Sequence, residues 1–239
     1  MILAGVDLAW KSEKNTSAIA LGQLKGNTLE VLTVEPAVLG IEEVRERLLS
    51  DTELEGVAID APLIIENSAG QRECERELSK EYSPKYAGCH PSNKTLYPAA
   101  ASVELSKALK SEGFSHMRGA KWQLECYPHP ALIELFGLAE RLKYKKGRVG
   151  DKRTGQQRLA SLLRGLEGGR GLKLVIDEAC SRVLSRAEIA SLRGKKLKQN
   201  EDALDSIVCL YVAGLRAAGC EGRTFGSVER GYIWVPRPH

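Results

Sequence analysis

Residues 2–10, ILAGVDLAW, are an apolar, β-prone run with one charge, Asp7, set inside it. Burying a lone charge in a core strand costs several kcal/mol unless something compensates it. A second apolar run follows, Thr16 to Leu24 (TSAIALGQL). Lys25-Gly26-Asn27 supplies a turn, and Thr28 to Val34 (TLEVLTV) alternates polar and apolar residues with period two. The three runs predict an antiparallel meander.

Beyond the meander the pattern changes. Ile41 to Leu49 has helical spacing, with Ile41, Val44, Leu48 and Leu49 on one face. A strand, Gly56 to Ile59, stops at Asp60 just before Pro62. Residues 62–120 read as an insertion or lid within one domain spanning 1–239. They hold two charged helical stretches, Gln71 to Lys80 and Ala100 to Lys110, around a turn-rich middle. Lys121 to Tyr127 (KWQLECY) returns to strand character, and Pro130 to Phe136 is a short helix. Thr154 to Leu166 and Leu174 to Ser185 are predicted helices. Glu201 to Ala218 is the clearest helix, with Ala203, Leu204, Ile207, Val208, Leu210, Tyr211 and Leu215 forming a broad apolar face. Tyr232 to Val235 is a final strand. A meander followed by alternating strands and helices gives an α/β fold, a mixed sheet flanked by helices. No G-x-G-x-x-G or Walker A sequence is present.

Composition narrows the class. Of 239 residues, 43% are hydrophobic and 28% charged, as in an ordinary globular chain. No run approaches the roughly 18 apolar residues that span a bilayer, so no membrane partner is expected. The first residues form a strand and carry no basic leader, which places the expected location in the cytoplasm. The six cysteines contain no C-x-x-C pair and are expected as reduced thiols. A zinc site built on Cys89 and His90 lacks the spacing of any zinc module. The net charge of +4 conceals an asymmetry. Residues 141–198 hold 17 Lys and Arg against 5 Asp and Glu, and the remainder holds 18 against 26. Such a basic stretch suits a polyanion, or is simply a solvated face.

The acids fall where acids are expensive. Asp7 and Asp60 lie in or at the end of strands, and Glu125 sits in WQLECYP. Asp202 and Asp205 are three apart on the long apolar helix and so share a face. Each has a local explanation: Asp60 can make a turn, Asp202 can favour the helix N-terminus, Glu125 can pair with a basic residue. If Asp7 and Asp60 are on adjacent strands and the helix docks over them, the carboxylates converge. Two such charges about 4 Å apart repel by roughly 4 kcal/mol at an effective dielectric of 20. A cluster of this kind must bind cations or take up protons, and all-oxygen ligands favour Mg²⁺ or Mn²⁺.

The segments GVDLAW, AIDAPL, ECYPHP and EDALDSIVCLYVA, in that order, resemble a family of predicted RNase H-like nucleases related in fold to the RuvC-type resolvases. The resemblance implies a ribonuclease H-like fold: a five-stranded sheet, three strands antiparallel and two parallel, flanked by helices, with a helical insertion after strand 4. It also implies that Asp7, Asp60 and Asp205 ligate metal, with Asp202 and Glu125 assisting catalysis of phosphodiester hydrolysis in DNA or RNA. In RuvC-type enzymes the fourth-strand acid is Glu; here the position is Asp60, whose shorter side chain would shift the metal. Glu125 belongs to the family's own pattern.

Lys143, Lys145, Lys146, Arg148, Lys152 and Arg153, with Gly147 and Gly150, are candidates for a basic loop that grips nucleic-acid phosphates, or for a solvated loop. Arg72, Arg76, Lys85 and Tyr86 either line a channel or solubilise the insertion. His129 is the best-placed histidine for a general base. Two other functions fit the same residues. One is a non-catalytic nucleic-acid-binding protein that keeps the fold. The other is an ATP-binding enzyme of the actin–hexokinase type, which needs a second half that the sequence does not show.

Overall fold

The computed structural model describes residues 1–10, 15–169 and 171–237. The meander forms as expected: β1 (Ile2–Asp7), β2 (Thr16–Lys25) and β3 (Thr28–Leu39) pair antiparallel in sequence. The chain then crosses through α1 (Ile41–Leu49) to β4 (Leu54–Asp60), which lies parallel to β1 on its other side. This ladder sets Asp7 directly beside Asp60 at the ends of the two strands.

Residues 62–120 carry α2 (Glu73–Tyr82), α3 (Ala101–Ser111) and the two-residue β5 (Ser115–His116), which extends the sheet edge beside β6 (Trp122–Glu125). After α4 (Pro128–Phe136) and α5 (Val149–Gly165), β7 (Lys173–Ile176) pairs parallel with β3 at the opposite edge. Then come α6 (Arg186–Ser191), the long α7 (Gly194–Ala217), and a separate hairpin of β8 (Gly222–Ser227) and β9 (Gly231–Pro236).

The main sheet therefore has seven strands, in the order β5-β6-β4-β1-β2-β3-β7, where five were expected. Both extra strands are short edge strands. The predicted helix at Leu174–Ser185 is corrected in the same way. Its first residues, KLVI over 173–176, are a short apolar run rich in β-branched side chains, and they join β3; only Ser181–Leu184 coil, as a short 3-10 turn. The basic loop is also shorter than expected, because α5 starts at Val149, with Asp151 accepting from the Arg148 backbone N–H. Lys152 and Arg153 are thus helical.

Helices cover both faces of the sheet. Val44 and Leu48 of α1 and Leu105 and Leu109 of α3 pack with Ala4, Val6, Val57 and Ile59 on one side. On the other side lies α7, and its residues from Asn200 to Leu215 are buried on every face. Residues of the sheet sit beneath α7, and α5, Tyr144 and β9 join the same core. The reason α7 comes so close is Gly5. A Cβ there would lie 2.0 Å from Leu210 N and 2.2 Å from Ser206 O, so only glycine lets backbone meet backbone at this crossing.

Candidate metal centre

Three elements meet at the C-terminal ends of β1 and β4. Asp7 ends β1, Asp60 ends β4, and α7, seated on Gly5, delivers Asp205 over them. One carboxylate oxygen from each of Asp7, Asp60 and Asp205 lies within 4.8 Å of the other two. Asp205 is fully buried. Its Oδ1 accepts a 2.6 Å hydrogen bond from the Tyr144 hydroxyl. Its Oδ2 lies 2.5 Å from Lys145 Nζ, an ion pair. Asp202, one turn earlier on α7, is hydrogen-bonded to Asp7 and paired with Lys198 at 2.5 Å.

Crowding of like charges in a partly dry site shifts the acids upward. Burial is the main cause at Asp60, pushed up to about 8; Lys145 opposes the shift, and Asp7 and Asp205 add to it. Burial and then Asp7 push Asp202 up to about 8, against Lys198. Asp205 is raised by burial and by Asp7, with Lys145 opposing. For Lys145, burial acts to lower its pKa, but Asp205, Tyr144, Asp7 and Asp60 outweigh it and hold the ammonium charged.

The donor set suits a hard cation. It is all oxygen, from three carboxylates whose ligating atoms lie within 4.8 Å of one another. Next to it opens a cavity of about 700 Å³ lined by Asp7, Trp10, Asp60, Lys195, Lys198 and Asp202, among others. Three acids and two cations of the first turns of α7 thus share its lining, and Trp10 packs edge-on against Tyr97 at 4.5 Å.

Glu125 lies apart from this group. Its Oε1 accepts from Arg72 Nη2 at 2.6 Å, and its Oε2 from Arg72 Nη1 and from Leu63 N at 2.9 and 2.8 Å. Arg72 also binds Glu75 and the Ile64 carbonyl, and is itself buried. Lys143 pairs with Glu140, Lys146 and Arg148 are exposed, and Arg153 bonds the Leu192 carbonyl. Only Lys145 of the basic group points into the carboxylates. His129 is buried against Tyr144 with its Nδ1 unpaired, and burial lowers its pKa to about 3. All six cysteines are free, and Cys89 and His90 join no metal-ligating group among the described residues.

The sequence allowed Glu125 a basic partner and offered Arg72 as a channel or surface residue without joining the two, and it did not single out Lys198. Lys198 had a readable signal, since it stands four residues before Asp202 on one helix face. Nothing local joins Arg72 to Glu125, because the two are 53 residues apart in sequence.

No helix among the described residues is long and apolar enough to cross a membrane. No curated protein matches the chain. The family described as "Protein of unknown function (DUF429)" matches residues 5–230, a span that runs from the glycine beneath α7 to the turn of the final hairpin, and the chain belongs to that family.

Proposed function

We propose that this protein is a divalent-metal-dependent phosphodiesterase acting on nucleic acid, built on a ribonuclease H-like sheet. The observation that carries the reading is the convergence of Asp7, Asp60 and Asp205, from two adjacent strands and the central helix, within ligating distance of a common ion. The topology supports it: β1–β3 antiparallel, with β4 and β6 parallel beyond β1, is the arrangement the resemblance implies, and β5 and β7 are edge additions.

Asp7, Asp60 and Asp205 would hold Mg²⁺ or Mn²⁺, which supplies an activated water and charge stabilisation at phosphorus. The protein contributes the rest. Tyr144 fixes the rotamer of Asp205 through its hydroxyl. Lys198 orients Asp202 beside Asp7. Lys195 and Lys198 give the cavity lining a positive charge that draws a phosphate backbone toward the acids. The cavity is open, as a polymer requires.

The test is cleavage of branched, duplex and RNA–DNA hybrid substrates with Mg²⁺ or Mn²⁺ by wild type, Asp7→Asn and Asp205→Asn. Wild type is expected to cleave at least one class, and each variant to lose about 10²-fold or more, the scale of removing one electrostatic partner of the transition state. Equal rates in wild type and variants would sink the proposal.

A further inference from the structure

Lys145 stands against the carboxylate that α7 delivers to the site. It belongs to the irregular segment between α4 and α5, and Tyr144 beside it is fully buried, with its hydroxyl held by Asp205. Its ammonium lies 2.5 Å from Asp205 Oδ2 and faces Asp7 and Asp60 as well. Those are the same three carboxylates whose oxygens form the candidate metal group. A monocation thus stands where the acids would otherwise gather a divalent one.

The segment is built so that the ammonium can leave. About a quarter of the Lys145 side chain is exposed, so a path to solvent exists. Gly147, two residues on, has φ +112, a left-handed conformation that favours glycine. Residues 141–147 also line a cavity of about 230 Å³ with His129, and Lys143, Lys146 and Gly147 border another of about 630 Å³. The segment therefore has room on its flank to shift while Tyr144 stays anchored.

We propose that Lys145 holds the metal's place in the free protein and, displaced when the ion loads, becomes the contact to the substrate's phosphate. The inference rests on the metal-dependent phosphodiesterase reading above. An ion bound by Asp7, Asp60 and Asp205 repels the ammonium from the position it shares with them. The phosphodiester drawn to the site then offers the expelled side chain a new anionic partner. Lysine suits that contact, as a compact charge with three rotatable donors on a flexible stem. In the free protein the same side chain neutralises the carboxylates, so the site folds before metal arrives.

The experiment compares Mn²⁺ binding, by calorimetry and electron paramagnetic resonance, in wild type, Lys145→Gln and Lys107→Gln. Lys107 is exposed on α3 and paired with Glu104, so its loss controls for net charge. Lys145→Gln is expected to bind Mn²⁺ roughly ten-fold tighter, the effect of 1.4 kcal/mol. At saturating Mn²⁺ its single-turnover cleavage is expected to fall on the order of 10²-fold. Lys107→Gln should leave the affinity unchanged. A merely structural lysine would weaken both properties together.

Unchanged or weaker Mn²⁺ binding in Lys145→Gln, with wild-type binding intact, overturns the inference and leaves the phosphodiesterase reading standing. Tighter metal with undiminished cleavage overturns the phosphate contact. No Mn²⁺ binding by wild type removes both readings. Should Lys145→Gln fail to fold, hydrogen exchange in wild type asks the same question. Mn²⁺ should speed exchange at residues 145–148, and unchanged or slower exchange there overturns the displacement.

Discussion

Glu125 and Arg72 show how a buried ion pair serves a neighbouring site without entering it. The fork of Arg72 engages both oxygens of Glu125, and Glu125 also takes the N–H of Leu63, three residues after Asp60. The pair therefore fixes the turn that leaves β4, and with it the direction of Asp60. Breaking one side of a buried pair leaves the other charge uncompensated, so Glu125→Gln should cost about 3–5 kcal/mol in chemical denaturation. A loss below about 1 kcal/mol would mean the pair is not buried in this way. The acids of the site were legible in the sequence because a carboxylate inside an apolar run stands out. Asp7, Asp60, Asp202 and Asp205 all declared themselves so. Cations did not: Lys145 looks like its neighbours Lys143 and Lys146, and only the fold turns it inward.

Among the elements, α7 and β1 decide the geometry together. The Gly5 crossing brings backbone against backbone, so Gly5→Ala has no side-chain tip that can yield. We expect a loss of about 3 kcal/mol, the upper end for overpacking, together with weakened Mn²⁺ binding because Asp205 is lifted from Asp7. Thermal melts and metal titration of the variant check both, and an unperturbed variant would show that the helix can slide. The meander and α7 were readable from hydrophobic period alone. Three elements were not. β5 has two residues, too few for a period. β7 is a short apolar run in which strand and helix patterns coincide. β8, GRTFGS, pairs through its backbone while its first three residues stay exposed, so burial left little trace in its composition. The sheet consequently outgrew its expected size at both edges, where pairing depends least on apolar patterning.

At the scale of the whole molecule, three acids gather at one point with Lys145 against them and Lys195 and Lys198 lining the cavity beside them. The upward shifts have a thermodynamic sign. Asp60 and Asp202 are pushed up to about 8 in the folded protein, against an ordinary aspartate value of 3.8 when unfolded. The folded form therefore binds more protons, and stability falls as pH rises between those values. His116 and His129 act oppositely, but only below their ordinary value of 6.5. Between pH 6.5 and 8.5 in a chelator, the melting temperature should drop by about 3 °C or more, where roughly 1 kcal/mol moves a domain of this size 2–4 °C. Mn²⁺ should restore it at pH 8.5. A melting temperature that rises across this window without metal would contradict the raised acids.

The docking of α7 on Gly5 also bears on how the chain becomes functional. Asp7 and Asp205 stand 198 residues apart (205 − 7), so their contact is of very long range. Contacts of such long separation carry a large loop-closure penalty and form late. The meander can pair early, but it cannot gather its acids until the final helix arrives. A chain in which α7 has not yet docked thus carries Asp7 and Asp60 side by side without their third partner.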